Sequence, residues 1–305
     1  MTAGRVDLLV VTASPEEHDA VRDAATGVRW RPESVDGLSC LIGGEVALAR
    51  PDQPIGPFAA RLDPRCVAMA GVCAGDPDQT VPGDVVIADR VHEYDEGKQR
   101  ATYLDGDHEQ HLQDDRWAQA ARRFTPEALP SWAAAGAQEA RDWLLERLAR
   151  GDDPLAQVAR GRYFPPGTWR GRLDQLVREG LVRPGHRGHE LTAAGEAYDR
   201  ERRAADTGPP RRLPFAVHVG PVAGGRTAPA GPAIWERPRR TGVNGIAALA
   251  TGAAAVAAAA REHGIPHWFV VAGVLDPAEP ERYRTFAARA AAEVLWALLP
   301  QLDSA

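Results

Sequence analysis

Two acidic side chains in this chain stand just behind apolar, strand-like runs. Glu17 follows Asp7–Val11 and the turn Thr12-Ala13-Ser14-Pro15-Glu16, and Asp276 follows Val270-Val271-Ala272-Gly273-Val274-Leu275. Open α/β sheets hold ligands at the carboxyl ends of their strands, and two carboxyl groups there can divide the work of general base and general acid. Each acid also has a plainer local use. Glu16 and Glu17 complement the positive end of a helix capped by Ser14, and Asp276 before Pro277 suits a loop cap. Between them in sequence, an apolar run from Val67 ends in Ala70-Gly71-Val72-Cys73-Ala74-Gly75, and a second run, Asp84-Val85-Val86-Ile87-Ala88, follows a Pro-Gly turn. Small residues behind a buried strand let the backbone approach a ligand closely.

The elements that must position these residues alternate. Strand-like runs at Asp7–Val11, Cys40–Ile42, Val46–Ala49, Val67–Met69, Val85–Ala88, Phe215–Val219 and Trp268–Ala272 are separated by helical or loop stretches, with helices expected at Pro15–Thr26, Val243–His263 and Glu281–Leu299. That alternation predicts an α/β layer fold. The middle reads differently. Helical periods at Gln138–Arg150, Leu155–Arg160 and Trp169–Glu179, a short hairpin at Leu181–Leu191 and a last helix at Ala193–Arg203 resemble a winged-helix unit. We place an inserted subdomain at 128–208, inside a discontinuous main domain of 1–127 and 209–305, with Gly208-Pro209-Pro210 as the exit linker.

Composition narrows the partners. A chain of 305 residues with 44% hydrophobic content can bury a sizeable core, and a formal net charge of −6 gives no overall attraction to nucleic acid or an anionic membrane. Cys40, Cys66 and Cys73 sit in apolar sequence without metal-ligand spacing, which predicts reduced thiols in a cytoplasm and no zinc site. His18, His92 and His108 are likewise scattered. No cofactor is expected. The first apolar stretch is too short for a secretion signal, and the Ala-rich run Ala247–Ala260 is too short and weakly apolar to span a bilayer. High Ala, Arg, Gly and Pro suggest a GC-rich bacterial genome. On the insertion's third helix, Arg170, Arg172 and Arg178 could face DNA, but Asp174 and Glu179 dilute that face. Protein contacts or a lid are favoured over DNA for this insertion.

The order of residues from Val67 to Lys98, ending in Gly83-Asp84-Val85-Val86 and Tyr94-Asp95-Glu96-Gly97-Lys98, resembles the purine nucleoside phosphorylase and nucleosidase superfamily, in particular the 5′-methylthioadenosine/S-adenosylhomocysteine nucleosidases. The resemblance covers about residues 5–115 and 212–300. It implies a three-layer α/β/α fold with a central mixed sheet, a homodimer, and a small purine nucleoside or nucleotide as ligand. It also implies roles. Glu17 matches the base that activates water and Asp276 the acid that protonates the departing purine, which needs a raised pKa. An oxocarbenium-like transition state makes the chemistry parallel to glycoside hydrolysis.

Further positions follow from the same resemblance. Ala70, Gly71 and Val72 form the binding loop, and Val222, Ala223 and Gly224, within His218–Gly225, present backbone to the base, with Gly224 where serine is usual. Leu249 and Ala250 match a Met-Glu pair whose glutamate grips the ribose hydroxyls, and Leu275 replaces a serine. A methyl group at 250 cannot accept those hydroxyl hydrogen bonds, a loss of roughly 10²- to 10³-fold in rate. Three readings therefore stand: an N-glycosidic hydrolase, impaired or adapted to another ligand; a nucleoside-binding regulator without turnover; and the same fold repurposed for a more apolar substrate. Glu17 favours water over phosphate as nucleophile, since Arg226 is the one nearby candidate to hold phosphate in the matching loops.

Overall fold

The computed structural model describes residues 5–93, 98–99, 104–105, 110–185, 188–206, 208–225, 245–277 and 279–302. Tyr94–Gly97, His108 and Arg226 lie outside them, as do the side chains at 98–99 and 104–105. The chain divides into two compact units, one of 1–131 with 216–305 and one of 132–215.

The first unit opens with β1 (Leu8–Val11), α1 (Pro15–Ala24), β2 (Arg31–Val35), β3 (Leu38–Gly43), β4 (Val46–Ala49) and α2 (Ile55–Leu62). Then follow β5 (Cys66–Gly75), β6 (Val85–Glu93), the short β7 (Lys98–Gln99) and β8 (Leu104–Asp105), β9 (Gln110–Leu112) and α3 (Asp115–Arg123). The second unit contains α4 (Ala137–Ala149), α5 (Arg160–Tyr163), α6 (Trp169–Arg178), β10 (Val182–Gly185), β11 (Gly188–Leu191) and α7 (Ala193–Ala205). The chain returns to the first unit with β12 (Val217–Gly224), β13 (Ala248–Leu249), α8 (Ala253–Glu262), β14 (His267–Val274) and α9 (Pro280–Leu302).

Ten strands of the first unit form one mixed sheet in the order β13-β12-β6-β14-β5-β1-β4-β3-β2, with β9 on β6. β13 also pairs with the end of β5, Leu249 opposite Ala74, so β5, β14, β6, β12 and β13 close into a ring. β1, β5 and β14 run parallel to one another. Their carboxyl ends therefore open on one edge.

Alternation along the strands assigns the faces. Val67, Met69, Val270, Ala272 and Val274 share a core with Val256, Ala257 and Ala260 of α8. Gly273 points the other way, and a Cβ there would overlap the backbone of Ala287 in α9. Glycine lets that helix lie directly on the sheet. A fully buried Asp84 ties the returning chain down: Oδ1 accepts from Ala216 N at 2.9 Å, while Oδ2 accepts from Val81 N at 3.1 Å and lies 2.9 Å from His218 Nε2.

Several sequence expectations needed correction. The helix expected at Val243–His263 begins only at Ala253, because Ala248–Leu249 is drawn into the sheet and Gly252 turns the chain in the left-handed region, at φ 87°. β2 was missed although Asp36-Gly37, both at positive φ, is an Asp-Gly hairpin turn. Leu155–Arg160 is mostly turns, with helix only from Arg160 to Tyr163.

Within the second unit, Ala140, Leu144 and Leu145 of α4 pack with Phe164, Leu173, Leu176, Leu181 and Val182, and Trp143 stacks on Tyr163 at 4.9 Å. Arg170, Arg172 and Arg178 of α6 are exposed, and so is Asp174. No helix among the described residues is long and apolar enough to cross a membrane.

Replacing Gly273 by alanine forces a methyl group into the α9 backbone, an overpacking that costs about 1–3 kcal/mol. Urea unfolding of Gly273→Ala should show a midpoint lowered to match; an unchanged midpoint would contradict the close helix–sheet contact.

Candidate active site

Glu17 is built into the start of α1. Ser14 caps the helix by accepting from Glu17 N at 3.3 Å, and Glu17 Oε2 accepts in return from Ser14 N at 3.1 Å and Ala13 N at 2.7 Å. This reciprocal capping box fixes the side chain locally. Its other oxygen does something the local pattern does not require. Oε1 accepts from Val72 N at 3.1 Å, across 55 residues, in the small-residue stretch of β5.

Only 3% of Glu17 is exposed. Burial raises its carboxyl pKa above the ordinary 4.5, opposed by the backbone donors of Ala13, Val72 and Ser14 and by the charge of Arg284. A carboxylate so held is a stronger base than an exposed one. Arg284, near the start of α9, forms a bidentate pair with Glu281 at 3.0 and 3.3 Å and also feels Glu16 and Glu17. Thr285 Oγ1 donates to Glu16, so the first turns of α9 and α1 are joined.

Asp276 lies two residues beyond β14 and is 1% exposed. Its neighbour Leu275, half-buried, donates its N–H to Cys73 O at 2.9 Å. Each acid is thus tethered to the same two-residue step of β5, Glu17 through Val72 and Asp276 through the residue bonded to Cys73. Because β1 and β14 flank β5 on either side, their axes stand about 10 Å apart.

The remaining positions close around the same end of β5. Gly71 leaves room where a Cβ would come within 3.1 Å of Met69 Cε and 3.2 Å of Glu17 Oε1. Ala70, Val222 and Ala223 are buried in strands, and Leu249 packs on Ala74, Ala223 and Ile246. Gly224 lies against the first turn of α8, where a Cβ would approach Ala254 N to 2.5 Å, so close helix packing accounts for glycine there. Ala250 donates its N–H to Ala223 O at 3.0 Å and turns its methyl group into the core, at 1% exposure. A Cβ on Gly252 would stand 3.7 Å from Met69 Sδ.

His218, at the start of the segment read as the base wall, is held by Asp84 at the opposite end of β12 from Gly224. An open cavity of about 600 Å³ is lined by Glu93, Gly224, Gly225, Thr251 and Gly252, among others, and by neither acid. Among the described residues no group of His, Cys, Asp and Glu could hold a metal. The three cysteines are buried and form no disulfide, and burial beside Asp84 pushes the Cys73 thiol far up, which leaves it inert as a nucleophile. Arg284 and Thr285 escaped the sequence reading. Nothing in a single helix or turn signals an electrostatic partner hundreds of residues away.

No protein-family model and no curated protein matches this chain. Solved structures do. The 5′-methylthioadenosine/S-adenosylhomocysteine nucleosidase of Helicobacter pylori superposes with a TM-score of 0.57 at 11% identity, over 98% of this chain and 99% of the other. The chain shares the fold of these nucleosidase structures. The nucleosidase of Streptococcus pneumoniae gives 0.57 at 17% identity over 97% and 99%, and the futalosine hydrolase of H. pylori 0.55 at 11% over 99% of both chains.

The raised pKa of Glu17 has a consequence for stability. A carboxyl group whose folded pKa exceeds its unfolded value stabilises the fold below about 4.5 and loses that contribution as pH rises through the folded pKa. The unfolding free energy of the wild type minus that of Glu17→Gln should therefore fall as pH rises above about 4.5. A difference that rises over that range would contradict the burial of an ionisable group at this position.

Proposed function

We propose that this chain hydrolyses the N-glycosidic bond of a purine nucleoside or nucleotide. Glu17 takes a proton from water attacking C1′, and Asp276 donates one to the departing purine. The observation that supports this most is that Glu17 is bonded to Val72, and Leu275, the residue before the buried Asp276, to Cys73 of the same strand. Glu17 leans on Val72 N, so the oxygen that acts on water is presented at the small-residue edge of β5 rather than into solvent. Gly71 gives the sugar access to that oxygen without a side chain between them.

A second reading has its own support. Glu17 Oε1 and Oε2 already accept three backbone donors, and position 250 turns into the core. A protein that binds the nucleoside without cleaving it would tolerate both features.

Incubation with adenosine, methylthioadenosine, S-adenosylhomocysteine and adenine nucleotides, with free adenine followed by chromatography, separates the two. The hydrolase reading expects release, lowered about 10²- to 10⁴-fold in Glu17→Gln and in Asp276→Asn. Tight calorimetric binding with no base released at high protein concentration would instead establish the binding protein.

A further inference from the structure

Glu17 and Asp276 are linked by a second route that avoids β5. Glu17 is the third residue of α1, and Glu16 before it accepts a hydrogen bond from Thr285 Oγ1 in the first turns of α9, 269 residues further along the chain. Two residues after Thr285, the backbone of Ala287 lies directly on Gly273 of β14, and Gly273 stands three residues before Asp276. The route from one acid to the other therefore runs through Glu16, Thr285, Ala287 and Gly273. Each step is a close approach or a few residues of chain.

The bond is not needed to hold the two helices together. Val21 of α1 and Phe286 of α9 are fully buried, and Trp296 Nε1 of α9 donates to Val21 O at 2.9 Å. Thr285 is exposed and Glu16 half-buried, where one more hydrogen bond adds little to stability. What it can fix is the place of the first turn of α1 along α9. Glu281, Arg284 and Thr285 share one face of α9 through their spacing of three and four, and Arg284 grips Glu281 at 3.0 and 3.3 Å, so the face that meets Glu16 is itself braced. Glu17 Oε1 reaches Val72 N at 3.1 Å, toward the long end of the N–H···O range, and a small slide of the turn would break that contact.

We propose that Thr285 and Glu16 are positioning residues: their hydrogen bond holds the Glu17 carboxylate against Val72, and so at a set place relative to Asp276. Its bearing on catalysis rests on the reading that Glu17 is the base and Asp276 the acid. A reacting group displaced by about 1 Å can lose roughly 10²-fold in rate even when the cause lies away from the chemistry.

The test uses the full chain, with base release from adenosine, methylthioadenosine and S-adenosylhomocysteine, and with amide hydrogen exchange at Val72 as a readout that needs no turnover. Thr285→Val keeps the side-chain shape and removes the donor, Glu16→Ala removes the acceptor, and Glu16→Gln retains one. Thr285→Val and Glu16→Ala should each lower kcat about tenfold or more while KM stays within about twofold, and exchange at Val72 should accelerate. The double variant should lose no more than either single one, and Thr285→Ser and Glu16→Gln should stay near the wild type. Unchanged kcat and unchanged exchange in Thr285→Val, or losses that multiply in the double variant, overturn the positioning role and leave glycosidic cleavage intact. A lowered thermal midpoint with kcat and exchange unchanged makes the bond merely structural and overturns it equally. Faster exchange at Val72 in a chain that releases no base from any of the three nucleosides upholds the hold on Glu17 and overturns cleavage, and no release with unchanged exchange overturns both.

Discussion

The hydrogen bond from Val72 N to Glu17 Oε1 is the contact on which the rest of the site depends. A capping glutamate needs only its own helix turn, and Glu17 satisfies that need through Oε2 alone. The second oxygen spans to β5 and fixes the β1–α1 turn against the strand that also anchors the Asp276 loop. A carboxylate buried to this degree is costly unless donors surround it. Here the donors are backbone N–H groups, Val72 in the sheet and Ala13 and Ser14 in the turn that starts α1.

The sheet earns its closure for the same purpose. Parallel β1, β5 and β14 bring two chain ends 259 residues apart in number, Glu17 and Asp276, to one edge. The short β13 then folds the 248–252 segment onto the tip of β5. Glycines at 71, 224 and 273 each stand where a Cβ would meet a neighbour: Met69 and Glu17, Ala254, and Ala287. The first keeps the cleft open, and the other two let helices lie on the strands.

Much of this was legible in the sequence, and for definite reasons. Val67–Gly75, Asp84–Ala88 and Trp268–Ala272 are buried on both faces and so read as apolar runs, which made the α/β class and the central strands visible. Ser14 and Glu17 announced a helix start. What escaped depended on tertiary pairing. The Ala-rich stretch before Ala253 has helical propensity, but β12 and β5 offer it strand partners, and pairing overrides propensity. Ala250 was read from its place in a motif, and only the packing reveals that its methyl group joins the core.

The central claim is spatial: one purine nucleoside lies across the end of β5 with Asp276 at its base and Glu17 at its sugar. A crystal structure of the Asp276→Asn variant soaked with a purine nucleoside tests it directly. The account predicts a ring nitrogen of the base at about 2.6–3.2 Å from residue 276 and C1′ one water molecule from Glu17. A nucleoside bound with its glycosidic bond away from both residues would contradict it.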